Sequence, residues 1–341
     1  MKLANKPFIS LYRLAINLLI LMIQSCVLIG IGNDDQGEAR GVPGRSGWKM
    51  TTPFNMVFVP GGSFMMGEVD DDIATKITPN RQVTVSDYFM DATEITNNQY
   101  RQFIDNMLEE PPDTVDEEFV MAKLYPDTNV WRNDVAHHMA DPVLENYYDH
   151  PAYDNYPVVG ISWEAARYFA KWRTAYLNEY REKKGLPPYP SFSLPSAAQW
   201  EYAARGGKEL AKYPWGGPYI RDHEGNLRAN FKSGRGNYSE CGHTYTSPVR
   251  YYAPNDYGLY DMAGNVAEWT LDAYNPASVS YIWDLDPVYL DDTQPMKITK
   301  GGSWKDISRF LQTGASDYEH KDSVRSYIGF RCVIPYIGSK E

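Results

Sequence analysis

LPSAAQWEYAARGG, residues 194–207, reads as a short helix with both ends written into its sequence. Ser196 and Gln199 stand three apart, the spacing at which a hydroxyl and an amide each satisfy an exposed main-chain donor of a first turn. Gly206 supplies the stop. Further upstream, Ser162 opens a longer helix in which Ala165, Tyr168, Phe169, Trp172, Ala175 and Tyr176 recur at helical spacing, and Gly185 and Pro187 end it. Thr96 and Gln99 repeat the capping pattern and predict a helix running to about Met107. Before it, FNMVFVPGGSFMMG (54–67) reads as two short strands around a Pro-Gly-Gly turn, and QVTVSDYFMDATEIT (82–96) as one further strand. After residue 207 the chain is mostly turns and short strands. Residues 108–157 are acidic, punctuated by proline and rich in Tyr, Asp and His. They read as a long excursion between elements, either a solvated loop or a contact region with a polar rim. Three helices among scattered short strands, with no repeat, predict one α+β domain at 53–336 with much irregular structure.

Composition bounds the rest. The chain has 341 residues, 43% of them hydrophobic and 14% aromatic, enough for a substantial core. A net charge of −11 argues against nucleic-acid binding through a general basic field. Lys2, Lys6 and Arg13 precede the apolar run LAINLLILMI (14–23), and Gln24-Ser25-Cys26 follows, as in a secretory leader (1–25) cleaved before a lipid-bearing Cys26. Because VLIGIG (27–32) is also apolar, 14–32 reads alternatively as an uncleaved span. The Gln-Ser-Cys interruption and the two glycines favour the lipoprotein. Residues 26–52 then form a polar tether. Cys241 and Cys332 remain, open to a disulfide or to two free thiols.

Seven motifs occur in order: VPGGSFMMG (59–67), EITNNQYRQF (94–103), PVVGISWEAARYFAKW (157–172), LPSAAQWEYAARGG (194–207), GLYDMAGNVAEW (258–269), KGGSW (300–304) and GFRC (329–332). Together they resemble the formylglycine-generating enzyme (sulfatase-modifying factor) family over nearly everything after the tether. The resemblance implies a single irregular α+β domain related to C-type lectins. It also implies an oxygen-dependent, copper-assisted oxidation of a substrate cysteine. That chemistry needs two thiols, since soft sulfur is what copper(I) requires. Carried onto this chain, the two thiol positions are Asp306 and Leu311, so the resemblance implies a turn without its reagents: no enzyme, no copper and no catalytic residue. Two other family cysteines fall on Ala170 and Ala204, and Cys332 keeps its place in GFRC as a small buried hydrophobe.

A structural calcium is the other implied feature. The family's ligands fall on Asp261, Gly264, Val266 and Glu268, two carboxylates and two main-chain carbonyls, which are hard oxygen donors. A second family calcium position is degraded: Asn230 and Phe231 match, but Cys241 replaces the aspartate, with His243 nearby, and a thiol is a poor calcium ligand. His137-His138 and His150 lack the spacing that would complete a zinc site.

A lipid-modified start, a tether and a thiol-free domain resemble in particular the PorK/GldK lipoproteins of the type IX secretion and gliding machinery of Bacteroidetes. TNNQYRQF, NYYDHPAYDNYPVVG and KWRTAYLNEY carry that likeness. It implies an assembly element anchored in the outer membrane and facing the periplasm, with copies of itself and a PorN/GldN-type protein as partners. An oxidase and a lectin-like ligand-binding lipoprotein are the alternatives.

Overall fold

The computed structural model describes residues 50–68, 80–112, 115–135, 141–234 and 239–338. The leader, Cys26 and the tether through residue 49 lie outside them, as do His137 and His138. The folded unit is Met50–Glu341. Among the described residues no helix is long and apolar enough to cross a membrane.

Strands β1 (Met56–Val59), β4 (Tyr88–Asp91) and β9 (Val333–Pro335) form an antiparallel sheet in the order β1-β4-β9. β2 (Gly62–Met66) and β3 (Arg81–Val85) pair as a separate antiparallel ribbon. The third sheet has the order β7-β6-β5-β8, built from β5 (Ala267–Ala273), β6 (Met296–Lys300), β7 (Ser316–His320) and β8 (Ile328–Gly329), with β5 and β8 parallel. The expected single strand over 82–96 is therefore two strands in two sheets. Asp87 makes the break, its Oδ1 accepting from the Gly61 N–H (2.5 Å) at the Pro-Gly-Gly turn. All four residues of β4 are buried, so it is covered on both faces.

The three helices follow the caps. α1 (Asn97–Glu109) begins at Thr96 and α3 (Ala197–Arg205) at Ser196, each with a complete capping box, and α3 ends on Gly206 in the left-handed conformation. α2 (Trp163–Lys183) starts at Ser162. Its apolar stripe is shorter than expected: Ala165 and Phe169 are buried, Ala175 and Tyr176 exposed. The inner face is completed instead by Arg173, whose Nη1 binds both oxygens of Asp91 at 2.9 and 2.8 Å.

The main core packs α1 and α2 against β5, β8 and β9, with Tyr100, Phe103, Phe169, Trp269 and Phe330 at its centre. Residues 108–157 differ most from expectation. Among the described residues, 108–112, 116–118 and 121–123 stay exposed while several large side chains turn inward. Val120 and Leu124, in a turn of π-helix, join the main core, while Val130, Trp131, Leu144 and Tyr147 form a second cluster with Val159 and Val266. Aromatic side chains this large are worth a few kcal/mol each when buried, and the short helical turns of the segment supply the main-chain hydrogen bonds that burial demands.

Candidate functional site: the glycine turn and its carboxylate cluster

β6 ends at Lys300 and delivers Gly301 and Gly302 into a left-handed turn, with φ of 91° and 64°. A Cβ on Gly302 would lie 2.9 Å from the Leu311 side chain and the Phe310 backbone, so the turn closes tightly over those two residues. Ser303 Oγ donates to Asp306 Oδ2 at 2.6 Å, and the Asp306 N–H donates to Ser303 O at 3.0 Å. Burial pushes the Asp306 carboxyl above its usual range. Asp306 lines a cavity of about 110 Å³ with Lys305, Asp317 and Tyr327. A neighbouring cavity of about 310 Å³ shares Phe310, Asp317 and Tyr318 with it. Leu311 turns away, fully buried among Tyr213, Ala229, Phe231 and Ala263. One of the two positions thus holds a hydrogen-bonded carboxyl and the other an apolar core side chain.

The loop GLYDMAGNVAEW is stitched to that turn. Gly264 N–H donates to Gly301 O (2.9 Å) and Asn265 N–H to Asn230 O (2.8 Å). Gly264, at φ 77°, has Asn230 O only 2.2 Å from where a Cβ would sit, so no other residue fits. Asp261 (φ 56°) and Asn265 (φ 62°) adopt the same uncommon conformation. Asp261 Oδ2 accepts from the Arg250 N–H at 2.8 Å, while its buried Oδ1 has no partner. Glu268 takes Arg331 side-on, Nη2 to Oε1 and Nε to Oε2 at 2.7 Å each, and its Oε2 also accepts from Trp200 Nε1 at 2.7 Å.

A third carboxylate joins them. Glu94, fully buried before α1, accepts from Asn265 Nδ2 at 3.1 and 3.3 Å. Burial, then the charges of Asp261 and Glu268, push its carboxyl well above the ordinary range, with Arg331 and Asn265 opposing. Asp261 is pushed up to about 6, chiefly by burial. Three buried carboxyls act on one guanidinium, and one of their oxygens, Asp261 Oδ1, is buried without a partner. In charge and donor type the residues fit a calcium ion held by Asp261, Glu268 and the carbonyls of Gly264 and Val266. Glu268 would have to share its oxygens with Arg331 and Trp200. Among the described residues no three His, Cys, Asp or Glu side chains form a metal-holding group, so the main-chain oxygens are essential to that set.

At the second implied calcium position the Cys241 sulfur lies 3.0 Å from Asn230 Oδ1, 3.3 Å from His243 O and 3.8 Å from Phe231 O. A thiol donor thus occupies the centre of the oxygen set, and the residues do not fit a calcium ion there. Cys241 and Cys332 are both buried thiols, with no disulfide between them. Burial pushes the Cys332 thiol up, as expected of a packing residue. His150 caps a turn, its Nδ1 accepting from the Ala152 N–H at 3.1 Å.

Sequence reasoning missed Glu94, Asn265 and Arg331 as members of this cluster, although each sits inside one of the seven motifs. It also missed Lys300, whose buried ammonium binds Glu201 Oε2 at 3.1 Å and is pulled down by burial. A charged residue inside a run of otherwise buried positions was the available signal.

Comparison with known proteins agrees with this architecture. The sequence profile of the sulfatase-modifying factor enzyme 1-like domain matches residues 46–336. The bovine protein named inactive C-alpha-formylglycine-generating enzyme 2 is 30% identical over 303 residues, covering 82% of this chain and 87% of its own. The formylglycine-generating enzyme of Thermomonospora curvata is 30% identical over 306 residues, covering 81% and 92%. PvdO from Pseudomonas aeruginosa shares the fold at a TM-score of 0.58 and 21% identity, over 82% of this chain and 94% of its own. Seven ordered motifs, one α+β domain and a family profile spanning it place the chain in the sulfatase-modifying factor (formylglycine-generating enzyme) family.

Proposed function

We propose that this domain is a non-catalytic, lipid-anchored assembly element of the PorK/GldK kind, held by Cys26 on the periplasmic side of an outer membrane. In this reading it works in a type IX secretion or gliding machine beside a PorN/GldN-type partner and copies of itself. The observation that carries the non-catalytic half is the fate of the two thiol positions. Asp306 is hydrogen-bonded to Ser303, and Leu311 is committed to the core. Neither supplies sulfur for copper. The presence of relatives named inactive is in keeping with this, while relatives named as enzymes match the chain at similar identity. The secretion role rests on the lipidation pattern and the motif likeness. A structural calcium at Asp261, Gly264, Val266 and Glu268 belongs to the same proposal. Anchoring copies on one surface raises their effective concentration, so weak contacts suffice for assembly.

Two experiments test it. A clickable palmitate analogue should label the wild type and not Cys26→Ala, and equal labelling would remove the anchor. Crosslinking in whole cells should recover a periplasmic partner and higher-order species. Monomer alone, with secretion unaffected by loss of the gene, would end the reading. The roughly 310 Å³ cavity beside the glycine turn supports a second reading, a lectin-like module binding a sugar or peptide. That reading requires saturable binding weakened by Tyr318→Ala.

A further inference from the structure

The segment between β5 and β6 carries an unused sheet edge. Its residues 284–286 lie parallel to β3: Thr84 N–H donates to Asp284 O and Asp286 N–H to Thr84 O, both at 2.7 Å. They add one isolated parallel bridge, Leu285 beside Thr84, to the two-stranded β2–β3 ribbon. The placement is fixed. Asp284 Oδ1 binds Arg81 Nη2 at 2.7 Å, and Asp286 accepts from the Ser86 N–H (2.7 Å) and Ser86 Oγ (2.6 Å). Since Asp284 O and Asp286 N–H face β3, the N–H and C=O of Leu285 face the other way. Among the described residues neither has a partner.

The same segment presents large apolar side chains to solvent. Tyr281 is 56% exposed, Trp283 87%, Leu285 62% and Leu290 66%. Tyr281 closes the 3-10 turn Ser278–Ser280, while Trp283 and Leu285 stand two residues apart beside the bridge to Thr84. Natural sheets blunt open edges with lysine, proline or a covering element. Here Asp286 in the left-handed conformation and Pro287 close one end, which leaves the Leu285 main-chain groups open between the exposed Trp283 and Leu285 side chains.

We propose that this edge accepts an extended, basic segment of another protein as an added strand. Charge selects the occupant. Residues 281–292, YIWDLDPVYLDD, contain four aspartates and no lysine or arginine, and of these Asp284 is paired with Arg81. An anionic lipid surface, or the same strip of a second copy, would bring like charge to it. A strand with lysine or arginine alternating with apolar residues satisfies the free main-chain groups, covers Trp283 and Leu285, and neutralises the acids. The inference deepens the assembly reading by naming its surface and the chemistry of the partner.

The test uses the full chain in the cells that make it, with a photo-crosslinking phenylalanine analogue replacing Trp283, Leu285 or, as a remote exposed control, Tyr219. Crosslinks from positions 283 and 285, sequenced by mass spectrometry, should map to an extended segment of another protein with more basic than acidic residues. Trp283→Ser should lower co-purification of that protein at least tenfold, and the Leu285 amide should gain protection from hydrogen exchange in the purified complex. Crosslinks only from position 219 would overturn this surface while leaving the assembly reading intact. Crosslinks from the strip to lipid, to a second copy or to an acidic segment would also overturn it, and no crosslink anywhere would remove both.

Discussion

Arg331 and Glu268 form a side-on, two-point ion pair in the centre of the domain, 2.7 Å at both contacts and with both side chains fully buried. The pair joins GFRC to GNVAEW. Arg331 also donates to the carbonyls of Asp91 (3.1 Å) and Tyr260 (3.0 Å), so one guanidinium ties four elements together. Motifs far apart in the chain occur together because they meet at this residue.

Removing that guanidinium strands three carboxyls. Arg331→Met should destabilise the domain by about 3–5 kcal/mol, the usual cost of breaking a buried pair. Arg331→Met/Glu268→Gln should cost less than the two single changes added. Urea unfolding of the four proteins measures the coupling, and simple additivity would show that the pair is not a unit.

Calcium should stabilise the wild type through Asp261. A ligand bound only by the folded state, at a hundredfold excess over its dissociation constant, is worth about 2.7 kcal/mol. Chelator should therefore lower the melting temperature of the wild type and leave Asp261→Asn unchanged. This single variant is the cleaner probe, because changing Glu268 also breaks the Arg331 pair. An identical response of both proteins would leave the loop without an ion.

Oxidation of a substrate cysteine should not occur. A Cys-x-Pro-x-Arg peptide incubated with the protein, oxygen and copper should keep its mass. Loss of sulfur with gain of an aldehyde would overturn the reading of Asp306 and Leu311.

Stability should carry the signature of Asp272, which caps the start of α3 by accepting from the Ala197 N–H at 2.7 Å. Burial pushes its carboxyl up to about 6. A carboxyl raised in the folded state binds its proton more tightly there than in the unfolded chain, so folding gains as the pH falls through that value. Between pH 7 and pH 5 the wild type should gain about 1 kcal/mol relative to Asp272→Asn. Paired melting curves test this, and a constant or shrinking difference would contradict it.

What the sequence determined by itself was local. Ser196, Gln199, Thr96 and Ser162 fixed where helices begin, because a cap is satisfied within three residues of itself. That Asp306 and Leu311 carry no sulfur was equally legible, since residue identity alone decides it. The tertiary structure decided what depends on distant partners. Residues 82–96 divide between two sheets because β2 and β1 claim different halves. Trp131 and Tyr147 turn inward because the space beside Val159 and Val266 takes them. Glu94 enters the carboxylate cluster through Asn265, which lies 171 residues away in the chain. No local pattern encodes such a contact; it exists only once the intervening chain has folded and excluded water from both ends.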